Sequence, residues 1–288
     1  MIDLHTHSTA SDGDLTPEKL AEYAAKRGLN TFALTDHDTT AGLVDARRSA
    51  ERLGIRFIPG IELEIQTENA EGGEFSPGIP PVNGEFHLLG LNLRRILPEL
   101  TAELTFLARA RERRNLLMLE KMRAAGIEAD YAEIAAFAGG GLVGRPHFGF
   151  FLVKRRVVRN QKQAFDRYLG KGRPFYVPRA GLAFARAVEL IHNAGGKAVL
   201  AHPMSLYLSW SKLPDYIACL GTRGLDGVEA WHPTAIPNAC RRLESLAREH
   251  GLAITAGSDF HGAARPERRL GITSGGRKIG DEFLAALE

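Results

Sequence analysis

The sequence predicts an α/β fold, a parallel barrel of seven strands with an inserted small helical domain, on three observations. Seven short apolar runs alternate with helix-patterned segments, as in a parallel sheet covered by helices. Each run has His, Asp or Glu at or near one end, as expected where a barrel gathers its chemistry at one rim. Residues 98–178 break the alternation with helical pattern only.

Met1–His7 reads as the first strand. Thr16 and Pro17 then open a helix, as N-cap and first-turn residue, that runs to Gly28. Asn30–Thr35 is a buried second strand, followed by a helix from Thr40 to Gly54 and a third strand, Ile55–Ile65. Residues 67–84 are rich in Gly, Pro and Glu and read as an irregular loop before the fourth strand, Phe86–Leu91. Residues 99–126 carry apolar side chains at helical spacing and stop at Gly126. Shorter helices follow, broken at 138–141 and 170–174. The alternation then resumes: helix Leu182–Ala194, strand Ala198–Ala201, helix Leu213–Leu220, strand Gly227–Ala230, helix Ala235–Gly251 and strand Ala253–Ala256. The barrel is therefore assigned to 1–97 and 179–288, and the insertion to 98–178.

A chain of 288 residues accommodates one such barrel. No apolar run approaches the roughly 20 residues that span a bilayer, and the N-terminus lacks the basic and apolar regions of a signal peptide. Cys219 and Cys240 form no C-x-x-C pair and read as core residues of a reducing compartment, so a cytoplasmic location is expected. The net charge is +3, but residues 100–180 hold sixteen Lys and Arg against seven Asp and Glu, a net +9 that leaves −6 on the rest. A basic segment over an acidic body points to an anionic ligand between them. Nothing implies a protein partner or a membrane.

The strand ends carry the chemistry. The first ends in His5 and His7, with Asp12 in the following loop; the second in Asp36 and His37; the third carries Glu62 and the fourth His87. The fifth ends in His202, the sixth in His232, the seventh in Asp259 and His261. Side chains alternate along a strand, so His5 and His7 point to one side. A lone H-x-H pair is more often incidental than not; joint occurrence on seven strands is what points to divalent metal. Six imidazoles and three carboxylates are too many for one ion and suit two or three, which would acidify a shared water to near neutral pH.

The stretches HTHSTASDG, LTDHDT, PGIE, AHP and GSDFH resemble the polymerase and histidinol phosphatase (PHP) family of phosphoesterases. The resemblance covers nearly the whole chain outside the insertion and implies a distorted (β/α)7 barrel. Gly144-Arg145-Pro146-His147 in the insertion resembles the bacterial group that includes 3′,5′-nucleoside bisphosphate phosphatases able to trim short RNA from its 5′ end. The resemblance implies three ions: one on His5, His7, Glu62 and Asp259, one on Glu62, His87 and His202, and one on Asp12, His37 and His261. Manganese is favoured over zinc or iron, because oxygen ligands and open positions disfavour a closed zinc site.

Arg145 and His147 are expected to contact phosphate. His232 is expected to touch the phosphate or protonate the leaving alkoxide, and Asp36 either to orient its neighbouring ligand or to cap the turn after its strand. Tyr207, Trp210 and Trp231 are candidates for stacking a base. The expected activity is release of the 3′-phosphate from a nucleoside 3′,5′-bisphosphate such as pAp, with short 5′-phosphorylated oligonucleotides as further substrates. Histidinol phosphate phosphatase is the nearest rival, although its singly phosphorylated zwitterionic substrate does not call for so basic a lid. A non-catalytic, metal-stabilised RNA- or nucleotide-binding protein is the rival from another class.

Overall fold

The computed structural model describes residues 1–66, 76–139 and 141–287. Its sheet has seven strands in sequence order: β1 (Ile2–Asp3), β2 (Thr31–Leu34), β3 (Arg56–Glu64), β4 (His87–Leu91), β5 (Lys197–Leu200), β6 (Gly227–Trp231) and β7 (Ala253–Ala256). The helices are α1 (Pro17–Lys26), α2 (Leu43–Leu53), α3 (Pro98–Ala124), α4 (Tyr131–Ala135), α5 (Arg145–Lys154), α6 (Gln161–Ala164), α7 (Phe184–Asn193), α8 (Leu213–Gly221) and α9 (Pro237–Glu249). The Thr16 side chain caps α1 by accepting from the Lys19 N–H, and Gly54 ends α2 in the left-handed conformation that favours glycine.

The sheet curls into a nearly closed barrel. Beyond the short β1, the Asp259 N–H donates to the His5 carbonyl and the His7 N–H to the Phe260 carbonyl, both at 2.9 Å, joining the first and last strands. The first strand is thus shorter than Met1–His7. Past Asp3 its backbone pairs only at isolated points such as the Thr6–Phe260 bridge.

The all-parallel expectation is corrected at β4, which runs antiparallel to both β3 and β5. The chain doubles back: the Ile65 N–H donates to the Phe86 carbonyl at 2.8 Å, extending the ladder past β3. A strand buried on both faces has the same apolar pattern in either direction, so the sequence is silent on its sense. The reversal matters for the site. His87 opens β4, and only an antiparallel strand brings its first residue to the rim where the other strands end. Of the loop expected at 67–84, residues 67–75 lie outside the described residues, as does Gly140 of the break at 138–141.

Three apolar clusters organise the packing. The largest fills the barrel and its α7–α9 side, with Ile61, Leu63, Leu89 and Val199 at zero exposure. A second lies beneath α1 and α2. The third is the lid's own, built on Met118, Met122, Ile134, Phe148, Phe151 and Phe175. Helix α3 serves two of them: Leu100, Leu104 and Leu107 pack on the barrel, whereas Met118, Leu119 and Met122 pack in the lid. Among the described residues no helix is long and apolar enough to cross a membrane.

Candidate active site

The strand ends converge on Glu62. Its carboxylate lies 3.3 Å from the His5 and His7 rings, 3.0 Å from His37, 2.9 Å from His87 and 2.8 Å from His202. Asp259 lies 3.5 Å from His5, 3.1 Å from His7 and 3.3 Å from His261, and Asp12 is 3.3 Å from His261. All nine residues singled out as metal ligands are thus brought together, nearly all of them buried. Four subsets place their donor atoms within 4.8 Å of one another: His7, Asp12, His37 and His261; His5, His232 and Asp259; His5, His7 and Glu62; and His37, Glu62 and His87. His232, left outside the ligand set by the sequence, stands beside Asp259 at 3.2 Å.

Several of these buried atoms crowd one another without a well-directed hydrogen bond: His7 Nδ1, His37 Nδ1, Glu62 Oε2, Asp259 Oδ1 and His261 Nε2. Buried polar groups are normally satisfied. A cluster of orphaned nitrogen and oxygen donors aimed at one small cavity is what divalent ions require, so the residues fit the metal that the sequence calls for. The electrostatics agree. Burial alone would raise the Glu62 carboxyl, but the imidazoles of His37, His5 and His87 hold it well below the usual carboxylate range. Burial likewise works against Asp259, and Arg268, His5 and His261 hold it down. The anionic form that a cation needs is therefore already favoured.

Surrounding groups orient the donors. Glu229 Oε1 pairs with His5 Nδ1 at 2.9 Å, and its Oε2 accepts the His202 backbone N–H. Glu64 pairs with His87 Nε2 at 3.1 Å, leaving Nδ1 to face Glu62. His261 Nδ1 donates to the Asp259 carbonyl at 2.8 Å, which leaves Nε2 as a lone-pair donor. Asp36 does not touch the His37 ring; it accepts from Ser8 N–H, Ser8 Oγ and Ser11 Oγ and so fastens the loop that carries His7 and Asp12. Asp3 does the same on the other side, accepting from Ser258 N–H, Ser258 Oγ and the His5 and Gly271 N–H groups; burial pushes its carboxyl up to about 6. His202 and Asp259 adopt positive φ, 28° and 53°, an uncommon backbone for such residues and one often retained at functional sites.

The sequence missed Glu229, Glu64 and Asp3. Glu229 had a signal, since it is the only charged residue in the strand GVEAW and is completely buried there. Glu64 had one too, because it shares a strand face with Glu62 two residues away.

Four arginines descend on the β3–β4 flank. Arg111 and Arg179 both donate to Asp38 Oδ2, Arg111 at 2.5 Å, and Arg179 also pairs with Glu64 at 2.6 Å. Arg145 opens α5, lies 3.6 Å from Glu85 and sits over the Tyr176 ring. Arg114 is 4% exposed, its Nε is unpartnered, and among the described residues its only polar contact is the Met118 sulfur. Arg111 ties α3, and Arg179 the segment before α7, to the loop after His37. Asp38→Ala would leave the buried Arg111 guanidinium without its carboxylate, Arg179 keeping Glu64, and is expected to lower stability by about 3–5 kcal/mol, measured by urea unfolding.

His147, the third residue of α5, turns its Nδ1 back to accept the Gly144 N–H at 2.8 Å, half of a capping box. That bond fixes the tautomer and leaves Nε2–H as a donor in a cleft shared with Asp12 and His261. Of the aromatic residues expected to stack a base, Trp231 is buried, donates to Glu244 and lies under Arg277, and Trp210 lies 4.3 Å under Arg242. Tyr207 stands 75% exposed.

Comparison with known proteins decides the family. The PHP domain matches residues 3–136. The 5′-3′ exoribonuclease Rnm of Escherichia coli is 38% identical over 91% of this chain and 85% of its own length. The chain belongs to the PHP family. A second relative, the 3′,5′-nucleoside bisphosphate phosphatase of Chromobacterium violaceum, is 33% identical over 94% of this chain and 91% of its own. The solved structure of an amidohydrolase from Chromobacterium violaceum, with bound sulfate and no metal, superposes with a TM-score of 0.84 at 30% identity, covering 100% of this chain and 97% of that one. The protein is accordingly a metal-dependent PHP phosphoesterase.

Proposed function

We propose that this PHP protein releases the 3′-phosphate of nucleoside 3′,5′-bisphosphates, giving a 5′-mononucleotide and orthophosphate, and that it also trims short 5′-phosphorylated oligonucleotides. The observation that carries the reading is, among the described residues, a largely buried cationic excess beside the Glu62 cluster: Arg111, Arg114, Arg145 and Arg179 against Asp38, Glu64 and the exposed Glu85. A substrate with one phosphate at the cluster and a second on this flank balances that charge. The relative named a bisphosphate phosphatase supports the first activity, and Rnm the second.

The proposed ligands are His5, His7, Glu62 and Asp259; Glu62, His87 and His202; and Asp12, His37 and His261, with Mn²⁺ favoured for its tolerance of mixed nitrogen and oxygen donors. Bound there, such ions acidify water at neutral pH and offset charge on the phosphoryl oxygens. The chain's own groups do the rest. Arg145 and Arg114 hold the second phosphate, which fixes the ester relative to the cluster. His147 offers its Nε2–H to a phosphate oxygen. His232, held at Nδ1 by Thr234 and set against Asp259 through Nε2, lines the same cavity and is placed to contact the departing group. Water's oxygen ends on phosphorus, the P–O3′ bond breaks, and a proton ends on O3′.

The test is phosphate release by metal-reconstituted protein from pAp, AMP, histidinol phosphate and a 5′-phosphorylated dinucleotide. The expected order in kcat/KM places pAp at least about tenfold above AMP, the value of one charge-assisted contact. Equal rates on AMP and pAp, or preference for histidinol phosphate, would refute the assignment.

A further inference from the structure

The Glu62 cavity is too small for a whole substrate. It offers about 60 Å³, space for only a few water-sized groups, which suits a phosphoryl group rather than a nucleoside. A second cleft of about 370 Å³ opens beside it, within the range of small-molecule pockets. The two share Glu85, His261 and Arg265 in their walls, so they adjoin along a wall that runs from His261 to Glu85, the residue 3.6 Å from Arg145. Arg265 stands at this junction, drawn by Asp259, Asp12 and Glu85, yet among the described residues no carboxylate lies within 4 Å of its guanidinium.

The lid side of the cleft is aromatic: Phe150 and Phe165, each only half-buried, with Pro146 and His147. Its shape is set locally. Gly149 has no Cβ, and the Gln161 amide occupies the space one would fill, so α6 lies directly against α5. Gln161 Nε2 donates to the Pro146 carbonyl at 2.9 Å and staples the two together. Immediately after α6 the chain widens into one turn of π-helix, Phe165–Leu169, in which the Gly170 N–H reaches back to the Phe165 carbonyl. Such turns are rare and concentrate at functional sites. Here the first residue of the turn is the one whose ring faces the cleft.

We propose that this cleft seats the heterocyclic base of the substrate nucleotide, with Phe165 and Phe150 as the stacking surface and Arg265 contacting the phosphate that joins the two cavities. The inference rests on the proposed nucleotide substrate and deepens it, because it moves base recognition to the lid, away from the tryptophans at the fifth and sixth strand ends. Stacking needs only a π face, so purines and pyrimidines are both accepted, with larger rings favoured.

The test compares kcat/KM for a nucleoside 3′,5′-bisphosphate with that for ribose 3,5-bisphosphate, which lacks the base, in metal-loaded wild type, Phe165→Leu and Phe165→Tyr. Leu preserves packing volume without a ring, and Tyr restores the ring. Wild type and Phe165→Tyr are expected to prefer the nucleoside by roughly 5- to 150-fold, the range for one stacked base, and Phe165→Leu to lose most of that preference through KM. A preference unchanged in Phe165→Leu would overturn the proposal while leaving the phosphatase reading intact. If neither bisphosphate is hydrolysed, the phosphatase reading fails, and the cleft is read by saturation transfer to the H2 and H8 protons of AMP. Transfer lost in Phe165→Leu and kept in Phe165→Tyr supports the base seat; transfer equal in all three, or absent in wild type, overturns it.

Discussion

Glu62→Gln is expected to lower phosphate release by about 10³-fold or more, since on the proposed ligand assignment losing this charge would forfeit several kcal/mol of transition-state stabilisation. The residue is the geometric centre of the site, within 3.3 Å of five imidazoles. Glutamine preserves the shape but puts an NH₂ where an imidazole N–H or a cation expects an oxygen anion. Metal analysis should show at least one ion lost per chain, with the circular dichroism unchanged because the barrel core does not depend on this group. Full activity and metal content in Glu62→Gln would mean that the convergence of strand ends on this carboxylate has no catalytic meaning.

Arg114→Met is expected to separate activity from stability. Most buried arginines are costly to remove because they leave a carboxylate stranded. Among the described residues Arg114 has no carboxylate within 4 Å; burial and the neighbouring Arg145, Arg179 and Arg111 act against its charge more strongly than Glu64 acts for it. Methionine keeps much of the apolar stem and relieves that repulsion, so urea unfolding should show equal or greater stability. Activity should move the other way. Losing one charge-assisted contact to the second phosphate, worth about 1.5–3 kcal/mol, lowers kcat/KM for pAp by roughly 10- to 150-fold while leaving AMP unaffected. A variant that loses stability and keeps its preference for pAp would make Arg114 a structural residue.

The strand ends were legible because the same chemical feature recurs at each of seven apolar runs, and period-2 alternation told which side His5 and His7 share. The direction of β4 was not, since a strand buried on both faces reads the same either way. The supporting carboxylates were half-visible: Glu229 is an isolated charge in an apolar strand, while Asp3 and Asp38 are known only through partners at Ser258, Gly271, Arg111 and Arg179, more than 70 residues away in the chain. The net +9 of residues 100–180 indicated an anion, but not that Arg111 and Arg179 pair with Asp38 while Arg114, among the described residues, has no carboxylate within 4 Å. The aromatic cleft was illegible because Phe150 and Phe165 look like ordinary lid core until α6 and the π-turn place their rings beside Asp12 and His261.

The most direct test removes and restores the cations. Protein stripped by chelation and reloaded with Mn²⁺ is expected to pass from no detectable orthophosphate release on pAp to full turnover, with two or three ions bound per chain. Equal turnover in the stripped protein, or none after reloading with Mn²⁺, Zn²⁺ or Fe²⁺, would contradict a cation-dependent phosphoesterase centred on Glu62.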